Sequence, residues 1–198
     1  MKTCHSLPVI TLACLLGFLA ACDTYTPVPR KYGFHRIDLP AQTAYVRFQN
    51  ERCPFTFEYP DYGVVTRQAS DSCWVDINYP PFDLKWHIAY RDTRAEGRDY
   101  NTIFEEYRRL IYQHSKKASR IEPSPISVPA GRGTWFEVYG NVGTPVQGII
   151  CDSTGRHVIM VSCYFQTALK NDSLAPVITF MKGEFDHMLR TVEWKAGE

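Results

Sequence analysis

The sequence has little net charge and almost none of the residue patterns that mark a reaction centre. Its 22 lysines and arginines nearly balance 21 aspartates and glutamates, which leaves a net charge of +1. This balance provides no large positive field to hold nucleic acid by its phosphates, so no nucleic-acid partner is expected. No two histidines fall in an i, i+2 or i, i+4 pair, and Cys-x-x-Cys, a phosphate loop, Gly-x-Gly-x-x-Gly and Gly-x-Ser-x-Gly are all absent. The sequence therefore predicts no enzyme, no metal and no cofactor.

Long apolar runs are also lacking, except at the amino terminus. After Lys2, the segment Leu7–Ala21 is almost uninterruptedly apolar. At about 15 residues it is shorter than the ~20 residues that a membrane-spanning helix needs, so it is typical of a signal-peptide core. It ends in Leu19-Ala-Ala-Cys22, which resembles the lipobox of bacterial lipoproteins. We predict that residues 1–21 are removed as a lipoprotein signal peptide and that the Cys22 thiol is lipidated. An ordinary secretory signal, cut after an Ala-x-Ala-like site, is the alternative.

The mature chain suits one domain behind a short tether. Residues 22–40 contain three prolines and little apolar periodicity, which predicts an extended tether after the lipidated cysteine. Residues 41–198 are long enough to bury a core, and 44% of the whole chain is hydrophobic. We predict an α+β fold: a single domain with a mainly antiparallel twisted sheet and two long α-helices packed on one face.

Alternating apolar and polar residues define the predicted strands, and apolar positions three and four apart define the helices. One helix begins at Asp99 or Asn101 and buries Ile103, Tyr107, Leu110 and Ile111. The other carries an apolar stripe from Leu174 to Val192. Pro123, Pro125 and Pro129 indicate a loop between the first helix and the strand that begins at Gly133. The predicted strands are Tyr45–Phe48, Phe55–Tyr59, Val64–Thr66, Cys73–Tyr79, Leu84–Tyr90, Gly133–Tyr139, Val146–Cys151 and His157–Phe165.

Four cysteines remain after the signal peptide and Cys22, an even number that favours disulfides outside the cytoplasm, with buried thiols as the alternative. Cys53 and Cys73 begin two similar strands, each ending in Tyr-Pro. In a simple antiparallel hairpin they would lie roughly 20 Å apart, whereas a disulfide needs Cα atoms within about 7 Å. A Cys53–Cys73 bond, the favoured pair, thus requires strands running in one direction or a chain reversal at Val64–Thr66. Cys151 and Cys163 are too far apart along their hairpin to bond.

Two groups of side chains are candidates for function. Trp74 and Trp86 are predicted on the wet face of the sheet as an interaction surface, although both can instead pack under a loop or helix. Asp152, Ser153 and His157 cluster around the turn Asp152–Gly155. Adjacent turn residues rarely have the geometry of a catalytic triad, so ordinary turn chemistry is the better interpretation.

Six stretches resemble a known family: Cys22, Tyr25-Thr-Pro-Val-Pro-Arg-Lys-Tyr-Gly-Phe-His-Arg-Ile-Asp-Leu-Pro40, Cys53-Pro-Phe-Thr-Phe-Glu-Tyr-Pro60, Cys73-Trp-Val-Asp-Ile-Asn-Tyr-Pro80, Tyr139-Gly-Asn-Val-Gly-Thr-Pro-Val-Gln147 and Asn171-Asp-Ser-Leu-Ala-Pro-Val-Ile178. They resemble the gliding motility lipoproteins GldD of the Bacteroidetes. The resemblance implies a cell-envelope lipoprotein required for gliding and associated with the type IX secretion machinery. The family has no known catalytic residues that could be assigned to this chain. The one residue role that the resemblance implies is lipidation of Cys22, palmitate included.

We therefore expect a non-catalytic scaffold or assembly factor, held on a bacterial membrane by its acyl chains and facing the periplasm. Its partners would be protein components of the gliding and secretion apparatus, and inner and outer membrane both stay open. The alternative is a protein that binds a small ligand or lipid in a pocket lined by Phe55, Phe57, Met181 and Phe185. A hydrolase using Ser153 and His157 comes third.

Overall fold

A computed structural model describes residues 37–67, 73–113, 117–166 and 171–195, with the side chains of 171–173 excepted. The predicted signal peptide, the lipidation site Cys22 and most of the tether lie outside the described residues. The last tether residues do not, and there Ile37 and Leu39 pack against the main hydrophobic core.

The described residues contain ten strands: β1 Tyr45–Phe48, β2 Phe55–Pro60, β3 Val64–Arg67, β4 Trp74–Tyr79, β5 Leu84–Asp92, β6 Ala118–Val128, β7 Gly131–Gly140, β8 Val146–Cys151, β9 His157–Phe165 and β10 Glu193–Trp194. They form two antiparallel sheets. In the large sheet the order is β3-β4-β5-β9-β8-β7-β6, and in the small sheet it is β1-β2-β10. The helices are a one-turn α1 Thr93–Glu96 and the two long helices α2 Tyr100–Gln113 and α3 Asn171–Arg190. The α+β fold class predicted from the sequence is confirmed.

The placement of the two long helices differs from the prediction: they pack on opposite faces of the large sheet. Buried Ile103 of α2 belongs to a core cluster with Ile149 and Val158. Gly148, one position before Ile149, faces the other way, because a Cβ added there would lie 3.2 Å from Phe185 of α3. Every residue of β8 is buried, which is the pattern of a strand covered on both faces. A single covering layer, as predicted, would have left every second residue of that strand exposed.

Most of the proline-rich segment is a strand and not the predicted loop, and of its three prolines Pro129 alone lies in a turn, between β6 and β7. Pro123 and Pro125 lie inside β6, opposite Phe136 and Thr134 of β7. Among the described strands, β6 is at the edge of the large sheet and pairs with β7 alone. A proline lacks the N–H that a ladder needs, so both belong at positions whose nitrogen points away from β7, which only an edge strand tolerates.

The start of α2 and most of its buried residues agree with the prediction from the sequence. The Asp99 carboxylate accepts a hydrogen bond from the backbone N–H of Thr102 at 2.7 Å, which caps the helix and favours Asp99 over Asn101 as its start. Ile103, Tyr107 and Ile111 are buried as predicted. Leu110 is 55% exposed, because the buried stripe follows the i, i+4, i+8 positions and excludes it.

Candidate functional site

Helix α2 leaves part of its side of the large sheet uncovered. Its core cluster draws strand residues from β7, β8 and β9 and none from β3, β4 or β5. The uncovered part, here called the open sheet face, carries aromatic and charged side chains around a shallow depression of about 490 Å³. Its members are Trp74, Asp76, Lys85, His87 and Tyr164.

Alternation along β4 and β5 produces this face. Val75, Ile77 and Tyr79 point into the core, as predicted, so the residues between them emerge on the opposite side. In the ladder Asp76 lies directly opposite His87. The strands therefore place a carboxylate and an imidazole side by side without any contribution from a loop.

The Asp76 carboxylate organises the charges of the open sheet face. Asp76 is only 5% exposed, yet its Oδ1 lies 2.6 Å from His87 Nδ1 and its Oδ2 accepts from Lys85 Nζ at 3.2 Å. With Nδ1 engaged by the carboxylate, Nε2 is the His87 nitrogen that remains to meet a ligand.

Aromatic rings border this charged pair. The Trp74 and Tyr164 rings meet His87 edge-on, with centroids 6.1 and 6.4 Å from the imidazole. Lys85 Nζ lies 6.0 Å from the centre of the Tyr164 ring. Aromatic side chains beside a cation are typical of surfaces that recognise another protein, because they combine apolar area with directional polar contacts.

The polar row continues across the sheet beneath α2, where it is structural. Ser162, on β9, lies opposite His87 of β5 on one side and opposite Gln147 of β8 on the other. Its hydroxyl is 3.2 Å from both Gln147 Oε1 and the Tyr107 hydroxyl, which itself donates to the Val161 carbonyl at 2.9 Å. Burial raises the pKa of Tyr107, which keeps that hydroxyl a donor. These contacts tie α2 to the sheet and give Ser162 a packing role.

Of the two tryptophans predicted as an interaction surface, one is exposed and the other is buried. Trp74 is 42% exposed at the border of the open sheet face. Trp86 is fully buried, so its place on the surface was predicted wrongly. It lies opposite Ile77 and Cys163 and packs against Tyr79, with ring centroids 4.8 Å apart. The signal was present in the sequence, because Trp86 shares the phase of apolar Leu84 and Ile88.

The structure places the Cys73 side chain beside the residue that precedes Cys53. The Cys73 thiol donates to the carbonyl oxygen of Arg52, the residue before Cys53, at 2.8 Å. The reversal through β3 makes this possible, as one of the two predicted routes required. The structure records both side chains as reduced thiols, so the bond itself stays a prediction.

The other two cysteines lie apart, as expected. Cys151 pairs with Val158, whereas Cys163 pairs with Val146 at the other end of β8. Burial raises the pKa of both thiols.

The residues of the predicted turn make turn contacts. Asp152 accepts from the backbone N–H of His157 at 2.9 Å and from Thr154. His157 Nδ1 lies 2.7 Å from the Tyr90 hydroxyl, and its ring stacks on Trp194. Ser153 is exposed on the turn.

The pocket of the alternative function is filled. Its four predicted lining residues are at most 1% exposed and belong to the main core. The Phe185 ring is packed between Trp86 and Trp135, at centroid distances of 5.8 and 4.9 Å. Within the described ranges there is no group of three or more potential metal ligands. No helix in that part of the chain is long and apolar enough to cross a membrane.

Comparison with solved structures shows what the fold resembles. Cyanobacterial PsbP (CyanoP) from Synechocystis is 12% identical and aligns over 77% of this chain and 94% of its own, with a TM-score of 0.44. The Ran-binding protein Mog1p of Saccharomyces cerevisiae is 11% identical over 77% and 96%, with a TM-score of 0.51. A protein from Bacteroides thetaiotaomicron is 10% identical over 76% and 48%, with a TM-score of 0.45. At these identities the likeness to Mog1p shows a related fold alone.

Comparison of sequences gives the family. No curated protein matches the chain. The model of a lipoprotein family, however, matches residues 24–194, which include nearly all of the predicted tether, both sheets and both long helices. The match covers far more than half of the chain and agrees with the resemblance seen in its motifs. The chain belongs to the family of the gliding motility lipoprotein GldD.

Proposed function

We propose that this protein is a non-catalytic, membrane-tethered scaffold or assembly factor of the gliding and type IX secretion apparatus. The observation that carries the proposal is the match of the GldD family over residues 24–194. Acyl chains on Cys22 hold the protein at a bacterial membrane with its domain facing the periplasm. Two or three acyl chains hold a protein far better than one, so no further anchor is needed.

The tether strengthens the binding of a partner protein whose direct contacts with the domain are weak. A domain that is held near its partner meets it at a high effective concentration, which can reach the millimolar range. A modest docking surface then suffices, because each rebinding event is nearly intramolecular. The occupant of that surface is a protein component of the same apparatus.

The open sheet face is the docking surface in this proposal. Trp74 supplies exposed apolar area, while Lys85 and His87 supply donors already oriented by Asp76. Preorganised donors lose little side-chain freedom when a partner binds, which favours association. Tyr112, on the outer side of α2, offers a matched comparison, because it is 38% exposed and is not part of this face.

The proposal is tested by crosslinking in cells that make the full chain, followed by purification and mass spectrometry. The wild type is compared with Cys22→Ser, Trp74→Ala and Tyr112→Ala. We expect gliding or secretion proteins to copurify with the wild type and with Tyr112→Ala. Recovery should fall at least fivefold with Trp74→Ala, since about 1 kcal/mol of lost contact is worth roughly that factor. It should fall at least as far with Cys22→Ser, because the untethered domain loses its high effective concentration near the partner.

Two results would contradict the proposal in different ways. Copurification of lipid or small molecules alone, without protein partners, would refute the scaffold function. Equal recovery of the same partners with Trp74→Ala and the wild type would instead move the docking surface away from the open sheet face.

A further inference from the structure

Cys53 and Cys73 precede strands of different sheets. Cys53 lies before β2 of the small sheet, and Cys73 lies before β4 of the large sheet. The chain turns at Pro60–Gly63 between β2 and β3, and β3 runs antiparallel to β4, so the strands that follow the two cysteines begin at the same end of the domain. Both side chains enter the main core, where Cys53 is 1% and Cys73 8% exposed.

A hydrogen bond fixes how close the two residues are. The Cys73 Sγ lies 2.8 Å from the carbonyl oxygen of Arg52. Standard peptide dimensions put the Cα of Cys53 about 3 Å from that same oxygen. The sulfur of Cys73 is thus within about 6 Å of the Cys53 Cα, a gap that the Cβ and sulfur of Cys53 can bridge to the S–S bond length of about 2.05 Å after a change of side-chain rotamer.

A second set of contacts gives the same placement independently. The register pairs Trp74 with Ala89, so Cys73 falls opposite the next residue of β5, Tyr90. The Tyr90 ring packs on Phe55, with centroids 5.8 Å apart. Cys53 lies two residues before Phe55, just outside β2, so the packing of Tyr90 on Phe55 brings the segments that carry the two cysteines to the same corner of the core.

We propose that Cys53 and Cys73 form a structural disulfide that joins the small sheet to the large sheet. The disulfide of a periplasmic thiol oxidoreductase is the oxidant. The thiolate of Cys73, the more exposed of the two, attacks one sulfur of that disulfide and expels the other as a thiolate. The Cys53 thiolate then attacks the mixed disulfide at the Cys73 sulfur. The two cysteines lose two protons and two electrons, and the oxidoreductase disulfide becomes two thiols.

The bond would close a loop of about 20 residues that contains β2 and β3. Constraining the unfolded chain by a loop of this length is expected to raise Tm by about 6–12 °C in a domain of this size. Formation in cells rests on the periplasm-facing location in the proposed function, since cytoplasmic thiols stay reduced. The capacity to form the bond in purified protein rests on the structure alone.

The test maps disulfides in the full lipoprotein taken from cells quenched with acid and alkylated without reduction. Trypsin should release Cys53 in peptide 53–67 and Cys73 in peptide 68–85, which we expect to be linked to each other. Cys151 and Cys163, in peptides 133–156 and 157–170, serve as internal controls and should be alkylated singly. Reductant should lower Tm by about 6–12 °C in the wild type and in Cys151→Ala, and by less than about 1 °C in Cys53→Ser/Cys73→Ser.

Separately alkylated peptides 53–67 and 68–85 from cells would overturn the proposal, as would linkage of either cysteine to Cys151 or Cys163. Treating the purified reduced protein with oxidised glutathione then identifies the cause. If the Cys53–Cys73 bond forms readily under those conditions, the thiols are well placed and the periplasm-facing location is wrong. If it does not form, the placement of the two thiols is wrong, and the proposed function is unaffected.

Discussion

The two tryptophans on neighbouring strands of the large sheet allow a sharp test of which face each strand buries. They lie on β4 and β5, 12 positions apart in the sequence, and the change to alanine is the same for both. Trp86 is fully buried against Tyr79 and Phe185, whereas Trp74 is 42% exposed. Trp86→Ala should therefore be strongly destabilising and Trp74→Ala only weakly so.

The expected magnitudes follow from these burials. A buried tryptophan removes about 200 Å² from water, which at ~25 cal/mol per Å² is worth about 5 kcal/mol. Replacing it by alanine typically costs about 3–5 kcal/mol, because the neighbours only partly fill the cavity. For a domain of this size that corresponds to a fall in Tm of about 6–20 °C. Trp74→Ala removes mainly its edge-on contact with His87 and should cost no more than about 1 kcal/mol.

Urea unfolding of the full chain in detergent, followed by far-ultraviolet circular dichroism, measures both variants without depending on tryptophan emission. Trp86→Phe, which keeps a ring in the core, should recover part of the loss. If Trp74→Ala lost as much free energy of unfolding as Trp86→Ala, the phase of β4 and β5 described here would be refuted. The open sheet face would then lose its structural basis.

Three further predictions concern other parts of the fold. Burial is the largest cause that raises the pKa of three tyrosines from 10.0 to about 12: Tyr45, Tyr90 and Tyr100. The unfolded chain releases these protons near pH 10 and the folded chain only near pH 12, so the free energy of unfolding should fall between those values. A free energy of unfolding by urea that stayed constant from pH 9.5 to 11.5 would contradict this. Gly148→Val should destabilise by about 1–3 kcal/mol in thermal unfolding, because its side chain would meet Phe185. Gly183→Ala, with open space at its Cβ within α3, should stabilise by about 0.5–1 kcal/mol; equal effects would refute the packing of β8. Pro123→Thr/Pro125→Thr restores two outward N–H groups on β6 and should increase dimers or aggregates in size-exclusion chromatography, while an unchanged monomer fraction would contradict an edge-protecting role.

Local patterns predicted most secondary structure because strand alternation and helix capping act over a few residues. Phe55 and Phe57 alternate with polar neighbours, and Asp99 lies three positions before the N–H that it caps. The same reasoning failed for Pro123 and Pro125. Whether a proline can stand in a strand depends on having a neighbour on one side only, and that is a property of the whole sheet.

Only part of the candidate site could be predicted from the sequence, again because the rest depends on how the strands are arranged in the whole sheet. The exposure of Trp74 followed from alternation with Val75, and the alternation of Leu84, Trp86 and Ile88 could have placed Trp86 in the core. The contact between Asp76 and His87 could not be read from the sequence, because it requires the register of β4 against β5. Nor could the sequence decide between the two routes that bring Cys53 and Cys73 together.

The sequence by itself determined the class of fold, the position of most elements and the family, because these depend on composition, short-range periodicity and motifs. The tertiary structure decided which face of the sheet each helix covers. Both faces of β8 and β9 are largely apolar apart from Gln147 and Ser162, so the sequence pattern alone does not assign one helix to each face. The tertiary structure also decided that the β4–β5 half of one face stays open. There Asp76 contacts His87, and the Trp74 ring lies edge-on beside the imidazole. These features depend on contacts between residues far apart in the chain, and packing free energy selects among them only when all the elements are present together.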